Sequence, residues 1–482
     1  MKTGYQEGLN DYVKQKQAAV DLVNSVGNLM FNKGVELVLF RNHLVDISLS
    51  EVINLFSNYA NKVLDTPIDI HTAAEVAAAM LKIDLAPSKI DLGKLTAEYM
   101  EEKSNFSSIN DFLIKKLEAF IGQDKHTFEA KDVVLYGFGR IGRLVVRELI
   151  KQAGKGQQLL LRAIVLRKVT NDQIIKRAAL LRNDSVHGAF KGTVEEDLEN
   201  QALIVNGQRI QLIAADNPDE VNYGEFGIKN ALLIDSTGVF NTKEALSRHL
   251  KNKEIAQVLL TAPGKGIPNI VYGINHDEFD LDEHQIFSAA SCTTNAISPV
   301  LKVIEDTFDI EKGHVETIHA YTNDQNLLDN MHKKPRRGRS AAINMVITST
   351  GAGKAVTKVV PSLANKLTAN AVRVPTPNGS LAIMHLNLKK KTNVEEVNNA
   401  IKQAALSGRL VNQINYQVNE ELVSNDIIGN TCPSVFDSNA TIVSEDGKST
   451  TLYTWYDNEF GYTKQVIRLA KHIAKVRRLI YY

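Results

Sequence analysis

DVVLYGFGRIGRLVVRELI, residues 132–150, passes from an apolar run through clustered glycines into residues with helical spacing. Gly137, Gly139 and Gly142 form G-x-G-x-x-G between that strand and that helix. In this setting the first glycine permits a tight turn and the second lets backbone approach a pyrophosphate. The third lets helix pack on strand. The helix N-terminus offers N–H donors and positive dipole to phosphates. The stretch therefore predicts a dinucleotide-binding βαβ unit.

Outward from it, strand-like runs recur: LRAIVL, ALIVNG, ALLIDST and QVLLTA, with helical stretches between several of them. That alternation predicts a parallel, doubly wound α/β sheet over residues 129–290. From 291 to 458 the pattern is mixed. HVETIHAY and LAIMHLNLKKK read as sheet strands and NVEEVNNAIKQAAL as a covering helix, so an α+β domain with a mixed sheet is expected. The chain closes with Val466, Leu469, Ile473, Val476 and Ile480 at helical spacing, read as a helix over 459–482 that completes the first domain.

Residues 1–128 read as all-α, four or five helices and no strong strand. Ser48 with Glu51 and Thr72 with Glu75 make capping-box patterns. Val52, Leu55, Phe56, Tyr59 and Val63 share one helical face. No catalytic constellation appears there, which suits a packing or partner-binding arm.

An NAD site calls for an acid at the end of the second strand, roughly 20 residues past the glycines, to hold the adenine ribose. Here Leu166 stands at that place, followed by Arg167 and Lys168. The missing carboxylate removes repulsion toward a 2′-phosphate and the two cations could attract one, which favours NADP, or tolerance of both NAD and NADP. Asp172 is the alternative ribose ligand, with the cations merely solvating the strand end.

Cys292, in SAASCTTNAIS (288–298), precedes a segment that reads as a helix, and a helix N-terminus favours a thiolate. Pro299 is compatible with that helix only in its first turn. His319, at the end of a predicted strand, is the candidate base. Cys432 reads as structural.

YGFGRIGR, NDSVHG, STGVF, SCTTN, HAYTNDQ, STGAGKAV, RVPTPNGS and WYDNEFGY occur in the order and spacing of phosphorylating glyceraldehyde-3-phosphate dehydrogenases, which residues 131–478 resemble. The resemblance implies that Cys292 attacks the aldehyde and that His319 stabilises the thiolate and accepts the hydroxyl proton. Hydride transfer to NAD or NADP leaves a thioester, which inorganic phosphate cleaves. It implies that Ser291, Thr293, Thr350 and Gly351 hold the attacking phosphate. Thr322, Arg337 and Arg373 would hold the phosphate of glyceraldehyde 3-phosphate. Arg140 and Ile141 would line the pyrophosphate, Thr261 would sit beside the cofactor, and Asn458 would bond the nicotinamide carboxamide. It also implies a homotetramer, and a step that runs in glycolysis or gluconeogenesis. KKPRRGR (333–339) offers three arginines at the Arg337 position, in a loop that the family places beside a neighbouring subunit's cofactor. Ala296 stands where many relatives have a second cysteine.

Composition bounds the alternatives. The 482 residues predict roughly three domains. A net charge of +1 gives no global field for nucleic acid or membrane, and the KKPRRGR patch alone is too short to change that. Two cysteines make no disulfide framework, and no apolar h-region follows Met1, so a reducing cytoplasm is expected. No metal is expected. An erythrose-4-phosphate dehydrogenase, which hydrolyses its thioester, is the nearest rival. A non-catalytic scaffold working through its helices is the other, and it predicts an eroded site.

Overall fold

A computed structural model describes residues 4–60, 67–122, 128–151 and 154–482. The chain divides into two compact units. One comprises Met1–Ala130, Gln152–Gln158 and Val476–Tyr482, and the other Lys131–Lys151 and Leu159–Lys475.

The larger unit holds two eight-stranded layers. In the first, Lys131–Tyr136 pairs in parallel with Leu159–Leu166, which pairs with Gln208–Ala214. On its other side lie Ala231–Asp235, Ile255–Leu260 and Ile286–Ser288, again parallel. This is the doubly wound order 3-2-1-4-5-6, in which ligands bind where the order reverses. Here that point lies between Lys131–Tyr136 and Ala231–Asp235. ALIVNG departs from the expected parallel pattern: Ala202–Val205 runs antiparallel to its neighbours and extends the sheet with Val194–Asp197. Asn206 and Gly207, both at positive φ, form the tight turn into Gln208–Ala214.

The second sheet is mixed. Ile310–Ala320 pairs in parallel with Leu367–Val374 and antiparallel with Ser380–Leu388, which pairs antiparallel with Ser449–Tyr456. Ile297, Val300, Leu301 and Ile304 of the helix Cys292–Phe308 pack into one core with Met384, Leu386 and Leu452 of the sheet. The closing helix, Phe460–Ile473, ends earlier than its apolar spacing suggests. Lys475 turns into the left-handed region at φ 58°, and Ile480 lies outside the helix.

The smaller unit is not all-α, contrary to the sequence reading. Val35–Leu39, Ser88–Asp91 and Leu479–Tyr481 form a parallel sheet, edged by Asn42–His43. All five residues of Val35–Leu39 are buried. Glu36 is buried among four apolar residues, so the run shows no inside–outside alternation to distinguish it from a helix segment. Ser48 and Glu51 do form the reciprocal capping box. For the next helix, Ile70–Met80, the cap is Asp69, which accepts from Thr72 N; Thr72 is already inside. Val52 and Phe56 are buried as expected, while Val63 and the Tyr59 side chain lie outside the described residues. Among the described residues no helix is long and apolar enough to cross a membrane.

The turn into Asn42–His43 puts Phe40 and Arg41 at φ 43° and 75°. Asp91 Oδ1 holds it by accepting from Phe40 N (2.9 Å) while also capping the helix at Gly93 N (3.0 Å). A Cβ on Gly93 would lie 2.6 Å from the Phe40 ring. Gly93→Ala is expected to cost about 1–3 kcal/mol in urea unfolding of the full chain. A Phe40→Leu background should recover part of that loss; additive losses would mean that the ring is not the obstacle.

Candidate active site

The glycine turn has the expected geometry. Gly137 takes φ +96°, and a Cβ on Gly142 would stand 2.8 Å from Gly137 O and from Ser236 Oγ. A Cβ on Gly139 would meet nothing within 4 Å, so this residue faces open space. Gly139, Arg140 and Ile141 line a cleft of about 880 Å³ with Ser236, Thr237, Thr261, Ser291, Cys292, His319, Thr322, Arg337 and Asn458. That open glycine at a helix N-terminus, on a cleft at the switch point, fits a dinucleotide.

Arg140 is clamped between two carboxylates. It donates to Glu459 at 2.8 and 2.5 Å and to Asp184 at 2.9 and 3.2 Å. Burial alone would push Asp184 up. The N–H groups of His187 and Val186 and the Arg140 guanidinium outweigh it and hold the carboxyl well below its usual range. Asp235, fully buried, accepts from Thr237 N (2.9 Å) and Thr237 Oγ1 (2.7 Å) and meets His249 Nε2 at 3.1 Å. It thereby shapes the loop opposite the glycines. The sequence reading passed over Asp184, Asp235, His249 and Glu459. Three of these lie in or beside motifs already noted, NDSVHG, STGVF and WYDNEFGY, but their partners are distant in the chain.

At the end of the second strand Leu166 is buried, while Arg167 and Lys168 are exposed. Neither cation makes an ion pair or hydrogen bond among the described residues, and neither lines the cleft described above. Asp172 stands in the exposed first turn of the helix Asn171–Arg182.

Cys292 is the first residue of its helix. The Ser291 hydroxyl caps it by accepting from Thr294 N at 3.0 Å. The entering turn puts Ala290 at φ 55°, and Asn295 Nδ2 braces it by donating to Ala289 O (2.8 Å) and Ser291 O (2.9 Å). Pro299 is the helix's eighth residue, not in the first turn, so Asn295 O loses its usual donor four residues on.

Cys292 Sγ lies 3.5 Å from His319 Nε2. On the far side of the ring, Nδ1 is 2.6 Å from Ala320 O and 3.1 Å from Arg373 Nη1. A carbonyl can only accept and a guanidinium only donate. Arg373 Nη1 already donates to Ala320 O at 2.8 Å, closer than its 3.1 Å approach to Nδ1. The 2.6 Å contact therefore places the proton on Nδ1 and leaves the Nε2 lone pair facing the sulfur. Burial, then the Arg373 guanidinium, pulls the imidazole down to about 3. Burial pushes the thiol up against the pull of Arg373, although the half-buried cysteine keeps some contact with water. The resting pair is thus a neutral thiol beside a neutral base. Tyr456 supports it edge-on, 5.8 Å from the His319 ring, with its hydroxyl between Thr317 Oγ1 (2.7 Å) and Thr293 Oγ1 (3.1 Å).

Among the anion ligands implied by the resemblance, Ser291, Thr322 and Arg337 line the cleft. Of the KKPRRGR arginines it is Arg337 that reaches it, paired with Asp324 and donating to Thr348 Oγ1 at 3.1 Å. Arg373 sits behind His319, its buried Nε without a hydrogen-bond partner among the described residues. Such an orphaned donor suits an anion. The Thr293 hydroxyl turns inward to Tyr456. Thr350 and Gly351 stand at the N-terminus of Ala352–Val359. Asn458 Oδ1 accepts from Ser380 Oγ (2.8 Å), which leaves its amide N–H₂ group for a ligand.

Comparison with known proteins agrees with this geometry. Residues 131–243 match the NAD binding domain of glyceraldehyde 3-phosphate dehydrogenase, and residues 291–458 match its C-terminal domain. The chain belongs to this family. A glyceraldehyde-3-phosphate dehydrogenase-like protein of Pseudomonas aeruginosa (strain UCBPP-PA14) is 46% identical over 458 residues, 94% of this chain and 98% of that protein. An alignment of that length takes in most of the first 130 residues. Glyceraldehyde-3-phosphate dehydrogenases of Clostridium pasteurianum and Bacillus subtilis are 39% and 40% identical and cover 72% of this chain and 99% of their own lengths. Members of the family are NAD-dependent oxidoreductases, which the NAD binding domain match reflects.

The buried imidazole sets a pH dependence of stability. Above the ordinary value of 6.5, His319 is neutral in folded and unfolded chains alike. Below it the unfolded chain takes up a proton that the folded site refuses down to about 3, so stability falls as pH falls through that window. The contribution is at most about 1.4 kcal/mol per pH unit. Between pH 7 and pH 5, wild type should lose about 2 kcal/mol more than His319→Asn in urea unfolding. Equal losses would show that the site protonates freely.

Proposed function

We propose that this protein is a phosphorylating glyceraldehyde-3-phosphate dehydrogenase. It oxidises glyceraldehyde 3-phosphate, with inorganic phosphate, to 1,3-bisphosphoglycerate. The observation that carries this reading is the 3.5 Å contact between Cys292 Sγ and the lone-pair side of His319, on the wall of a dinucleotide-sized cleft.

His319 Nε2 takes the thiol proton as the sulfur attacks the aldehyde carbon. The imidazolium returns that proton to the new oxyanion, giving a hemithioacetal on Cys292, and the ring, neutral again, then accepts the hydroxyl proton as hydride leaves. A bound nicotinamide supplies the hydride acceptor. The resulting thioester is attacked by a phosphate oxygen. The C–S bond breaks and the thiolate recovers its proton from His319. Thr322, Arg337 and Arg373 hold the substrate phosphate, a role that the cleft position of the first two and the orphaned Nε of Arg373 support. Ser291, Thr350 and Gly351 hold the attacking phosphate, while Thr293, whose hydroxyl is engaged by Tyr456, offers it only a backbone N–H at the helix start. Gly137, Gly139, Arg140, Ile141, Gly142 and Thr261 form the cofactor cradle, and Asn458 holds the carboxamide.

NADP serves beside NAD. Leu166 offers no carboxylate to repel a 2′-phosphate, and Arg167 and Lys168 are exposed cations without a hydrogen-bond or ion-pair partner among the described residues. The protein acts as a homotetramer: Leu328, Met331 and Ile343 are large apolar side chains 73%, 92% and 79% exposed in the chain alone, which suits burial in a subunit contact. The chemistry requires a reduced Cys292, which suits the cytoplasm.

Acyl phosphate should form only when glyceraldehyde 3-phosphate, cofactor and inorganic phosphate are all present. Cys292→Ser should lower kcat by at least about 10³-fold, and His319→Asn by about 10²–10⁴-fold. Release of free acid without phosphate would replace this reading by a hydrolysing one. Arg167→Ala with Lys168→Ala should raise KM for NADP about tenfold and leave that for NAD unchanged. Equal effects on both would overturn the role of the two cations.

A further inference from the structure

The turn that delivers Cys292 is strained. Ala290 stands at φ 55°, a region that a residue with a Cβ disfavours and that surrounding contacts must hold. Its N–H donates to Ser288 Oγ (3.0 Å), and its carbonyl accepts from Tyr462 OH (2.9 Å). The carbonyls on either side, Ala289 O and Ser291 O, both accept from Asn295 Nδ2. The whole clamp therefore depends on which way round the Asn295 amide lies.

Gln465 decides that. It is buried on the closing helix, Phe460–Ile473, 170 residues from Asn295 in sequence. Its Nε2 donates to Asn295 Oδ1 (3.1 Å) and Gln413 Oε1 (2.5 Å), with Tyr272 O at 3.3 Å. An amide fits its site either way round by shape, and its hydrogen bonds choose the orientation. Here the choice begins at Arg468, which can only donate. Nη2 reaches Thr431 O and Nη1 reaches Gln465 Oε1, both at 2.9 Å. The other end of the Gln465 amide must then be its N–H₂ group. A donor facing Asn295 fixes the asparagine oxygen there and turns its N–H₂ group toward Ala289 O and Ser291 O. Reversing either amide would set donor against donor and acceptor against acceptor in a buried place.

We infer that Gln465, oriented by Arg468, is a positioning residue for Cys292: through Asn295 it holds the turn that sets Sγ 3.5 Å from His319 Nε2. The inference rests on Cys292 being the nucleophile. Gln465 makes no hydrogen bond to Cys292 or His319 among the described residues and does not line the cleft, so it acts only through the turn. Tyr462, three residues earlier on the same helix, grips the same turn at Ala290 O. The residues before the helix that face the cofactor are held separately. Asp457 Oδ1 accepts from Glu459 N (2.9 Å), Phe460 N (2.7 Å) and Asn378 Nδ2 (2.8 Å). Loss of the Gln465 amide should thus reach the thiol and spare cofactor binding.

Gln465→Met keeps the length of the side chain and removes the donor. In the full chain, alkylation of Cys292 by iodoacetamide at neutral pH, followed by the mass of the Cys292 peptide, reads the thiol without any substrate. The rate should fall at least about tenfold. The kcat should fall about 10- to 100-fold, with KM for glyceraldehyde 3-phosphate and calorimetric Kd for NAD each within about threefold of wild type. Arg468 is half-buried, so Arg468→Leu carries the test if Gln465→Met does not fold; its alkylation rate should fall at least about threefold. Arg468→Lys keeps a donor for Gln465 Oε1 and should recover at least about half of the wild-type rate. Three results overturn the inference. One is a Gln465→Met protein that melts earlier but alkylates and turns over like wild type. Another is a loss of NAD affinity as large as the loss of kcat. The third is Arg468→Lys behaving no better than Arg468→Leu. A wild type that forms no acyl phosphate would sink the reading above instead, since the alkylation rates do not depend on that reaction.

Discussion

The carbonyl of Ala320 lies 2.6 Å from Nδ1 of His319 and can only accept. The ring must donate there, and its other nitrogen is left as an acceptor toward Cys292. Strand register supplies the rest: His319 stands opposite Arg373 in the parallel pair Ile310–Ala320 and Leu367–Val374. The guanidinium is therefore built into the sheet beside the imidazole. It also donates to Ala320 O at 2.8 Å, so one carbonyl organises base and cation together. Burial and this cation keep the ring unprotonated, the state in which it can take a proton from a thiol.

The same economy recurs around the cofactor cleft. Arg140 opens the helix after the glycines and is held by Asp184 and Glu459, 44 and 319 residues away in sequence. His187 shares Glu459 at 2.9 Å. Ser380 links the two halves: its hydroxyl accepts from Ala320 N (3.1 Å) and donates to Asn458 Oδ1 (2.8 Å). A shift of the histidine strand would thus be felt at the residue assigned to the carboxamide. Rigid coupling of this kind keeps reacting groups in register, and small misplacements are costly to rate.

The smaller unit is assembled from three stretches of the chain, Met1–Ala130, Gln152–Gln158 and Val476–Tyr482. The strand Ser88–Asp91 is sandwiched between Val35–Leu39 and the late strand Leu479–Tyr481, and the loop carbonyl of Gly156 receives Arg478 at 2.6 Å. Nothing local announces this. RRLIYY continues an apolar helical stripe, and only the left-handed turn at Lys475 ends it. The first unit's sheet was hidden for the related reason that Val35–Leu39 is buried on both faces and lacks a period of two.

What the sequence by itself determined are the features written in neighbouring residues. These are the glycine turn between strand and helix, the Ser48–Glu51 box, the thiol at a helix start and the doubly wound order. Steric demands on a turn and spacing along a helix act over a few residues, so they are legible in one dimension. Only the tertiary structure decided which nitrogen of His319 faces the sulfur, which arginine of KKPRRGR enters the cleft, and which carboxylates hold Arg140. It also decided that the last strand leaves the larger unit for the smaller. Each of these depends on partners brought together from distant parts of the chain, where burial and register choose among residues that look equivalent in the sequence.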